Sequence, residues 1–262
     1  MRRFKPGLVV ILLALIFNPV QAGRERISIE SEQGGYTQED IETEILFGRE
    51  MSAIILADRP LSSNATLNLY LNLVGRSILL HANRPELNFY FALVESPQIN
   101  AYAAPGGYIF ITTGALELMQ NEAELAGVLA HEIAHIADRH IVNALKIQAK
   151  DDSATRLVGI MIGGSSESAN VIFDQAVGQA LDLLFSKGLK VIDEYNADSQ
   201  GILMAALAGY DPMAYIRYLE RVKPLIESTG GEISSTHPPF TERLNRLYQM
   251  VDKEGIASLG RF

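Results

Sequence analysis

Three residues in this chain have types and spacing suited to metal chemistry: His131, Glu132 and His135, in the order H-E-x-x-H. Side chains four apart share a helix face, so the two imidazoles can present nitrogens to one ion with the glutamate beside them. An ion held this way draws the pKa of water from about 16 toward roughly 7, and a neighbouring carboxylate can take the proton as the water attacks a carbonyl. Two histidines hold zinc poorly alone; a catalytic site wants three protein ligands and one open position. The chain has five histidines and no cysteine, which leaves a carboxylate as the natural third ligand. Glu194 is the best candidate, because Asp198 follows four residues later on the same helical face. One of the two could bind the ion while the other accepts the outer ring N–H of a histidine ligand and fixes its tautomer. A surface acidic pair would show the same spacing. His237, in a polar loop between Thr236 and Pro238, has three readings: a donor to the transition state, a fourth ligand that blocks the metal, or a helix-start residue outside the chemistry. His81 and His140 read as solvated helix ends.

The elements that must position these groups can be read around them. Residues 121–140, NEAELAGVLAHEIAHIADRH, form one helix, with Asn121 as N-cap, Glu124 at the capping-box position and acidic charge on the first turn. Ala130, Ala134 and Ala137 make a narrow stripe that lets a neighbouring helix approach and supply ligands, while Leu125, Val128, Leu129 and Ile133 face a core. Upstream, residues 37–58 and 64–83 are helical, the second carrying Leu67, Leu71, Val74 and Ile78 on one stripe and stopping at Arg84-Pro85. Residues 88–94, 98–103 and 107–113 are extended, the last two joined by the turn Pro105-Gly106-Gly107, and a small antiparallel sheet is expected. Downstream helices cover 169–185, with Val177, Leu181 and Leu184 aligned, then 189–207, a segment started by Asp211-Pro212, and 239–252. The apolar stretches at 157–162 and 169–185 are too short to span a membrane; packing into the core is the default, and a mobile lid or membrane-touching flap is the functional alternative.

Composition sets the outer limits. The chain has 262 residues, 48% of them hydrophobic and 20% charged, enough for one large core. Arg2, Arg3 and Lys5 precede an apolar run over 8–17, and Val20-Gln21-Ala22 closes it, the layout of a cleavable signal peptide. That run is about half of what a bilayer requires. We therefore expect a leader over 1–22, a single domain over 23–262 and a periplasmic protein. Without cysteine there are no disulfides, no thiol nucleophile and no thioether lipid anchor. A net charge of −9 leaves no cationic face for phosphate and argues against nucleic acid as a partner.

H-E-I-A-H at 131–135, Glu194-x-x-x-Asp198, the strand and turn block NAYAAPGGYIFI at 100–111, and Ser235-Thr236-His237-Pro238-Pro239 with Arg243 occur in this order. Together they resemble the zinc metallopeptidases of the CAAX prenyl protease, HtpX and BepA group, gluzincins of metallopeptidase family forty-eight. The resemblance implies an α+β, mostly helical zincin-like fold and one zinc ion per chain held by His131, His135 and Glu194. It makes Glu132 catalytic, puts Asp198 behind the ligands, and allows Arg243 a supporting part. It implies that Asn100, Ala101 and Tyr102 form a strand that pairs with substrate, where phenylalanine is more usual than Tyr102; a plain structural hairpin remains the alternative reading of the same residues. For His237 it implies a plug over the zinc. The implied activity is endoproteolysis of unfolded or misassembled envelope proteins, with peripheral membrane contact as an option and a silent or self-inhibited binding module as the rival function. No docking partner is implied, since several membrane spans and a repeat array found within the group have no counterpart here.

Overall fold

The computed structural model describes residues 36–147, 167–229 and 236–256. The expected leader at 1–22 and the apolar stretch at 157–162 lie outside these residues. The chain begins with α1 (Gln38–Asp58), closed at its start by reciprocal bonds in which Thr37 Oγ1 accepts from the Asp40 amide and the Asp40 carboxylate accepts from the Thr37 amide. Asn64 caps α2 (Ala65–Ile78), which runs into a 3₁₀ turn at Leu79–His81. Three strands follow, β1 (Tyr90–Val94), β2 (Ala101–Ala104) and β3 (Tyr108–Thr112), then the short α3 (Thr113–Glu117) and the central α4 (Glu122–Ala137). Next come α5 (His140–Leu145) and α6 (Glu167–Asp182), which passes into a π-type turn at Leu183–Lys187. The chain continues through α7 (Val191–Leu207), α8 (Pro212–Thr229) and α9 (Phe240–Glu254).

The sheet is mixed, which corrects the antiparallel expectation. Its order is β1-β3-β2: β2 and β3 form the expected hairpin, but β3 lies parallel to β1, with Tyr90 opposite Tyr108 and Val94 opposite Thr112. The physical reason is burial. Residues 109–112 of β3 are all buried, and a buried strand needs ladder partners on both edges to satisfy its backbone. β3 therefore takes the centre, and β2 becomes the outer strand.

From Ala123 to Ile136 every residue of α4 is buried, so neighbours must cover it on all sides. α2, β1, β3, α7, α8 and α9 contribute to the large core around it, and a second cluster under α1 holds Phe47, Met51, Ile55, Tyr102, Phe110, Val177 and Ala180. The first turn of α4 is fixed by Asn121 Oδ1 accepting from the Glu124 amide at 3.0 Å. The fully buried Glu124 carboxylate accepts both guanidinium N–H groups of Arg221 at 2.7 and 2.8 Å, and reaches back to the Gln120 amide. At its other end α4 stops at Ala137, earlier than expected, because Arg139 adopts left-handed dihedrals (φ 55°). That buried arginine lies 2.8 Å from Glu44 of α1, which also accepts from Arg84 at 3.0 Å, while Arg84 donates to the Ile136 carbonyl at 2.8 Å. The three charges hold the end of the helix in place.

Candidate metal centre

The site lies where α4 meets α7, and the approach depends on a glycine. A Cβ on Gly201 would stand 2.8 Å from the His131 backbone nitrogen and 2.9 Å from its Cα, so no other residue lets the two helices come this close. Asp198 and Glu194 lie one and two turns earlier on α7 and face the two histidines. His131 Nε2 is 3.1 Å from His135 Nε2 and 3.7 Å from Glu194 Oε2, and His135 Nε2 is 3.5 Å from Glu194 Oε1. His237 Nε2 is 3.4 Å from Glu194 Oε2, and the donors of His131, Glu194 and His237 all lie within 4.8 Å of one another. Nitrogen and oxygen ligands about 2.0–2.2 Å from a tetrahedral ion stand roughly 3.3–3.5 Å apart, so these spacings fit a four-coordinate divalent cation. Glu194 Oε2 is buried with no hydrogen-bond donor to satisfy it, which is costly unless a cation does so.

Electrostatics agree with that fit. Burial, helped by the charges of His131 and His140, drives the His135 imidazole well below its ordinary pKa, and burial lowers His131 as well, so both rings are neutral and offer lone pairs. Burial likewise pushes the Glu194 carboxyl well above the usual range and Glu132 up to about 8, with Arg243 opposing in each case. A cation at the centre would draw both down and release protons on binding. Asp198 behaves differently. Against its burial, the charge of Arg243 holds this carboxyl far below the carboxylate range.

Behind the histidines is a network that the sequence only half reveals. Asp198 Oδ1 is 3.0 Å from His131 Nδ1, and Arg243 donates to both oxygens of Asp198, at 2.6 and 2.9 Å. Arg243 also donates to the Tyr215 hydroxyl at 2.8 Å, and that hydroxyl donates to Asp198 at 3.0 Å while its ring leans on His131. Asp198 and Arg243 thus stand beside His131. Tyr215 was missed, since an aromatic on a helix face carries no signal beyond core packing. Gly201 had a signal, a glycine in the middle of a helix, and it went unread. His140 corrects the sequence expectation: it is buried, with Nδ1 2.9 Å from His135 Nδ1.

Around the donors, Ala101, Tyr102 and Ala103 of β2 form one wall of a cleft whose other linings include Leu183, Leu184, Leu189, Thr236 and His237. About 30 Å³ remains inside, room for no more than a water or two. Gly188 (φ 74°) passes so close to Thr236 that a Cβ would sit 2.1 Å from its carbonyl oxygen, which brings the π-turn segment and the His237 loop together over the metal side. Of the three residues expected to pair with substrate, Ala101 and Tyr102 line this space. Asn100 is buried, with Oδ1 accepting from the Ala101 amide, and Tyr102 packs edge-on against Phe185 at 5.0 Å. β2 is the outer strand of the sheet on this side. Among the described residues, no helix is long and apolar enough to cross a membrane.

The description of peptidase family M48 matches residues 65–251. The chain is 30% identical over 258 residues to a beta-barrel assembly-enhancing protease of Yersinia pestis, an alignment covering 90% of this chain and 52% of that protein. It is also 30% identical over 202 residues to the protein of the same name from Escherichia coli strain K12, covering 73% and 41%. A mitochondrial metalloendopeptidase OMA1 of Schizosaccharomyces pombe is 28% identical over 204 residues, covering 76% and 57%. The chain thus spans about half the length of the curated relatives it matches. A match that reaches from the first residue of α2 almost to the end of α9 shows that this chain belongs to peptidase family M48, a family of metallopeptidases.

Proposed function

We propose that the chain is a zinc-dependent endopeptidase that cleaves unfolded or misassembled proteins of the bacterial envelope after export to the periplasm. The observation that carries this reading is the convergence of His131, His135 and Glu194 at ligand-to-ligand spacing, with Glu132 beside them and the outer strand β2 along the cleft. A zinc ion held by those three would acidify a water and polarise the scissile carbonyl. The protein does the rest. The backbone of β2 can add a peptide as a further strand and lay its bond across the metal side, which explains broad sequence tolerance. Glu132 takes the water's proton and later delivers it to the leaving amine, a role that suits a carboxyl whose affinity for protons is raised by burial. Asp198, fixed by Arg243 and Tyr215, holds the His131 ring with Nε2 inward. The envelope substrate is supported by the relatives named beta-barrel assembly-enhancing protease and by the leader-like residues 1–22.

A second reading is favoured by one observation: His237 Nε2 stands 3.4 Å from Glu194 Oε2, within the donor set. In that arrangement it is a fourth ligand and the enzyme is self-inhibited until the loop moves. The test is to purify the chain, measure bound metal and follow cleavage of an unfolded protein by wild type and Glu132→Gln. One zinc per chain and activity lost in the variant support the peptidase; no metal in wild type would sink it. A rise in turnover in His237→Ala selects the plug, and a fall selects a transition-state donor. Recovery of a mature N-terminus at residue 23 from the periplasmic fraction checks the export reading.

A further inference from the structure

His135 Nε2 faces the donors of His131 and Glu194, so in a metal-bearing site its proton belongs on Nδ1. That Nδ1–H points away from the centre and needs an acceptor. At the corresponding place for His131 stands a carboxylate, Asp198 Oδ1, 3.0 Å from Nδ1. Among the described residues, no carboxylate fills this place for His135. Its Nδ1 lies instead 2.9 Å from Nδ1 of His140, in a buried contact with the two rings edge to face. His140 can accept there only as the tautomer that carries its proton on Nε2, and that nitrogen is turned toward Asp138, 3.7 Å from Oδ2.

The backbone around Arg139 exists in a form that makes this contact. Residues five apart on a continuous α-helix are separated by about 140° around the axis, so His135 and His140 could not meet on one helix. The left-handed Arg139 breaks α4 and turns the chain back, and a non-glycine residue adopts such dihedrals only when its surroundings hold it there. Glu44 supplies the hold, 2.8 Å from the arginine.

We propose that His140 is a positioning residue for the metal centre: its Nδ1 accepts the Nδ1–H of His135 and so fixes that ring with Nε2 aimed at the ion. The inference rests on the zinc reading above and goes beyond it in assigning the outer partner of the second histidine ligand. An ordinary core histidine would fill space; this one supplies an acceptor at a defined point. Loss of such an outer partner lowers metal affinity by about ten- to a hundred-fold.

The test separates acceptor from volume. His140→Phe and His140→Leu keep apolar bulk and remove the acceptor, whereas His140→Asn places a carbonyl oxygen near the position of Nδ1. Zinc affinity is measured by competition with a chromophoric chelator, and the cobalt-loaded proteins are compared by their visible absorption. We expect Phe and Leu to bind zinc ten- to a hundred-fold more weakly with an altered cobalt spectrum. Asn should stay within about three-fold of wild type with its spectrum preserved. Melting of the metal-free proteins controls for packing damage, which would affect affinity in all three alike. Wild-type affinity in Phe or Leu, or equal weakness in Asn, overturns the assignment and leaves the peptidase standing. Wild-type protein that takes up no zinc removes the peptidase reading, and this one with it.

Discussion

Replacing Gly201 by alanine adds one methyl group, and the structure says where it must go. The new Cβ would lie 2.8 Å from the His131 nitrogen and 2.9 Å from its Cα, against 3.4–4 Å for ordinary contact, so about 0.6 Å of separation has to be found. Both obstructing atoms are backbone of a helix buried on every side, and no flexible side chain can give way. The helices α4 and α7 must move apart. Overpacking of this kind costs about 1–3 kcal/mol, offset by about 1 kcal/mol from the better helix propensity of alanine, so the fold survives. The metal site is less tolerant, because functional metal–ligand distances hold to about 0.2 Å and Glu194 and Asp198 travel with α7. We expect zinc affinity to fall at least ten-fold, about 1.4 kcal/mol, with a parallel loss of turnover and a melting temperature of the metal-free protein changed by only a few degrees. Gly178→Ala on α6 is the control: its Cβ would meet nothing within 4 Å, and it should leave zinc binding untouched. Gly201→Ala that binds zinc and cleaves substrate like wild type would refute the close-approach argument.

Three further outcomes follow from the same geometry. In metal-free protein the Glu132 carboxyl, raised by burial to about 8, keeps a proton that the unfolded chain has lost, so stability should fall as pH rises toward 8. Between pH 6.5 and 8 Glu132 contributes about 2 kcal/mol to that fall, while the imidazoles of His131 and His135, neutral in the fold and about half protonated in the unfolded chain at pH 6.5, offset only about 0.4 kcal/mol each. Denaturant unfolding at the two pH values should therefore show a slope in wild type that is reduced in Glu132→Gln; equal stability at both pH values in wild type would count against burial of this carboxyl. Tyr215→Phe removes a hydroxyl shared by Arg243 and Asp198 and should cost about 1–2 kcal/mol in urea unfolding and weaken zinc binding, with no change in the set of bonds cleaved. Arg221→Met strands the buried Glu124 carboxylate at the start of α4 and should cost about 3 kcal/mol or more, read as a lowered melting temperature; near-wild-type stability would mean that the pair contributes little.

What could be read in the chain was what is set locally. Asn121 was read as the cap of α4, and the starts expected at 37 and 64 coincide with Thr37 and Asn64, whose side chains bond within the first turns of α1 and α2. The pairing of Glu194 with Asp198 follows from helical periodicity alone, and both reach the histidines. The strand order was out of reach, because nothing within residues 88–113 says that β3 must be covered on both edges; that depends on helices elsewhere in the chain. His140 was read as solvated for a similar reason. Arg139 has no turn chemistry of its own, and the carboxylate that holds it left-handed lies ninety-five positions earlier, at Glu44. The helix over Val177, Leu181 and Leu184 was legible from its apolar spacing and packs on the second core cluster, while its π-type ending at Leu183–Lys187 was not.

Glu44 also bears on where the independently folding unit begins. The family description starts at residue 65, yet Arg139 and, besides its pairing with Glu86, Arg84, both inside it and both buried, take a counter-charge from a helix that precedes it. A chain trimmed to the matched residues would leave Arg139 without that anion and Arg84 with Glu86 alone, and the aromatic ring of Tyr36, 3.9 Å from the Arg139 guanidinium, would be gone as well. Removing one member of such a buried set costs about 3–5 kcal/mol, a large share of the stability of a domain. The smallest fragment able to fold and keep its catalytic helix in register therefore includes α1, and expression trials should place the upstream cut before residue 36.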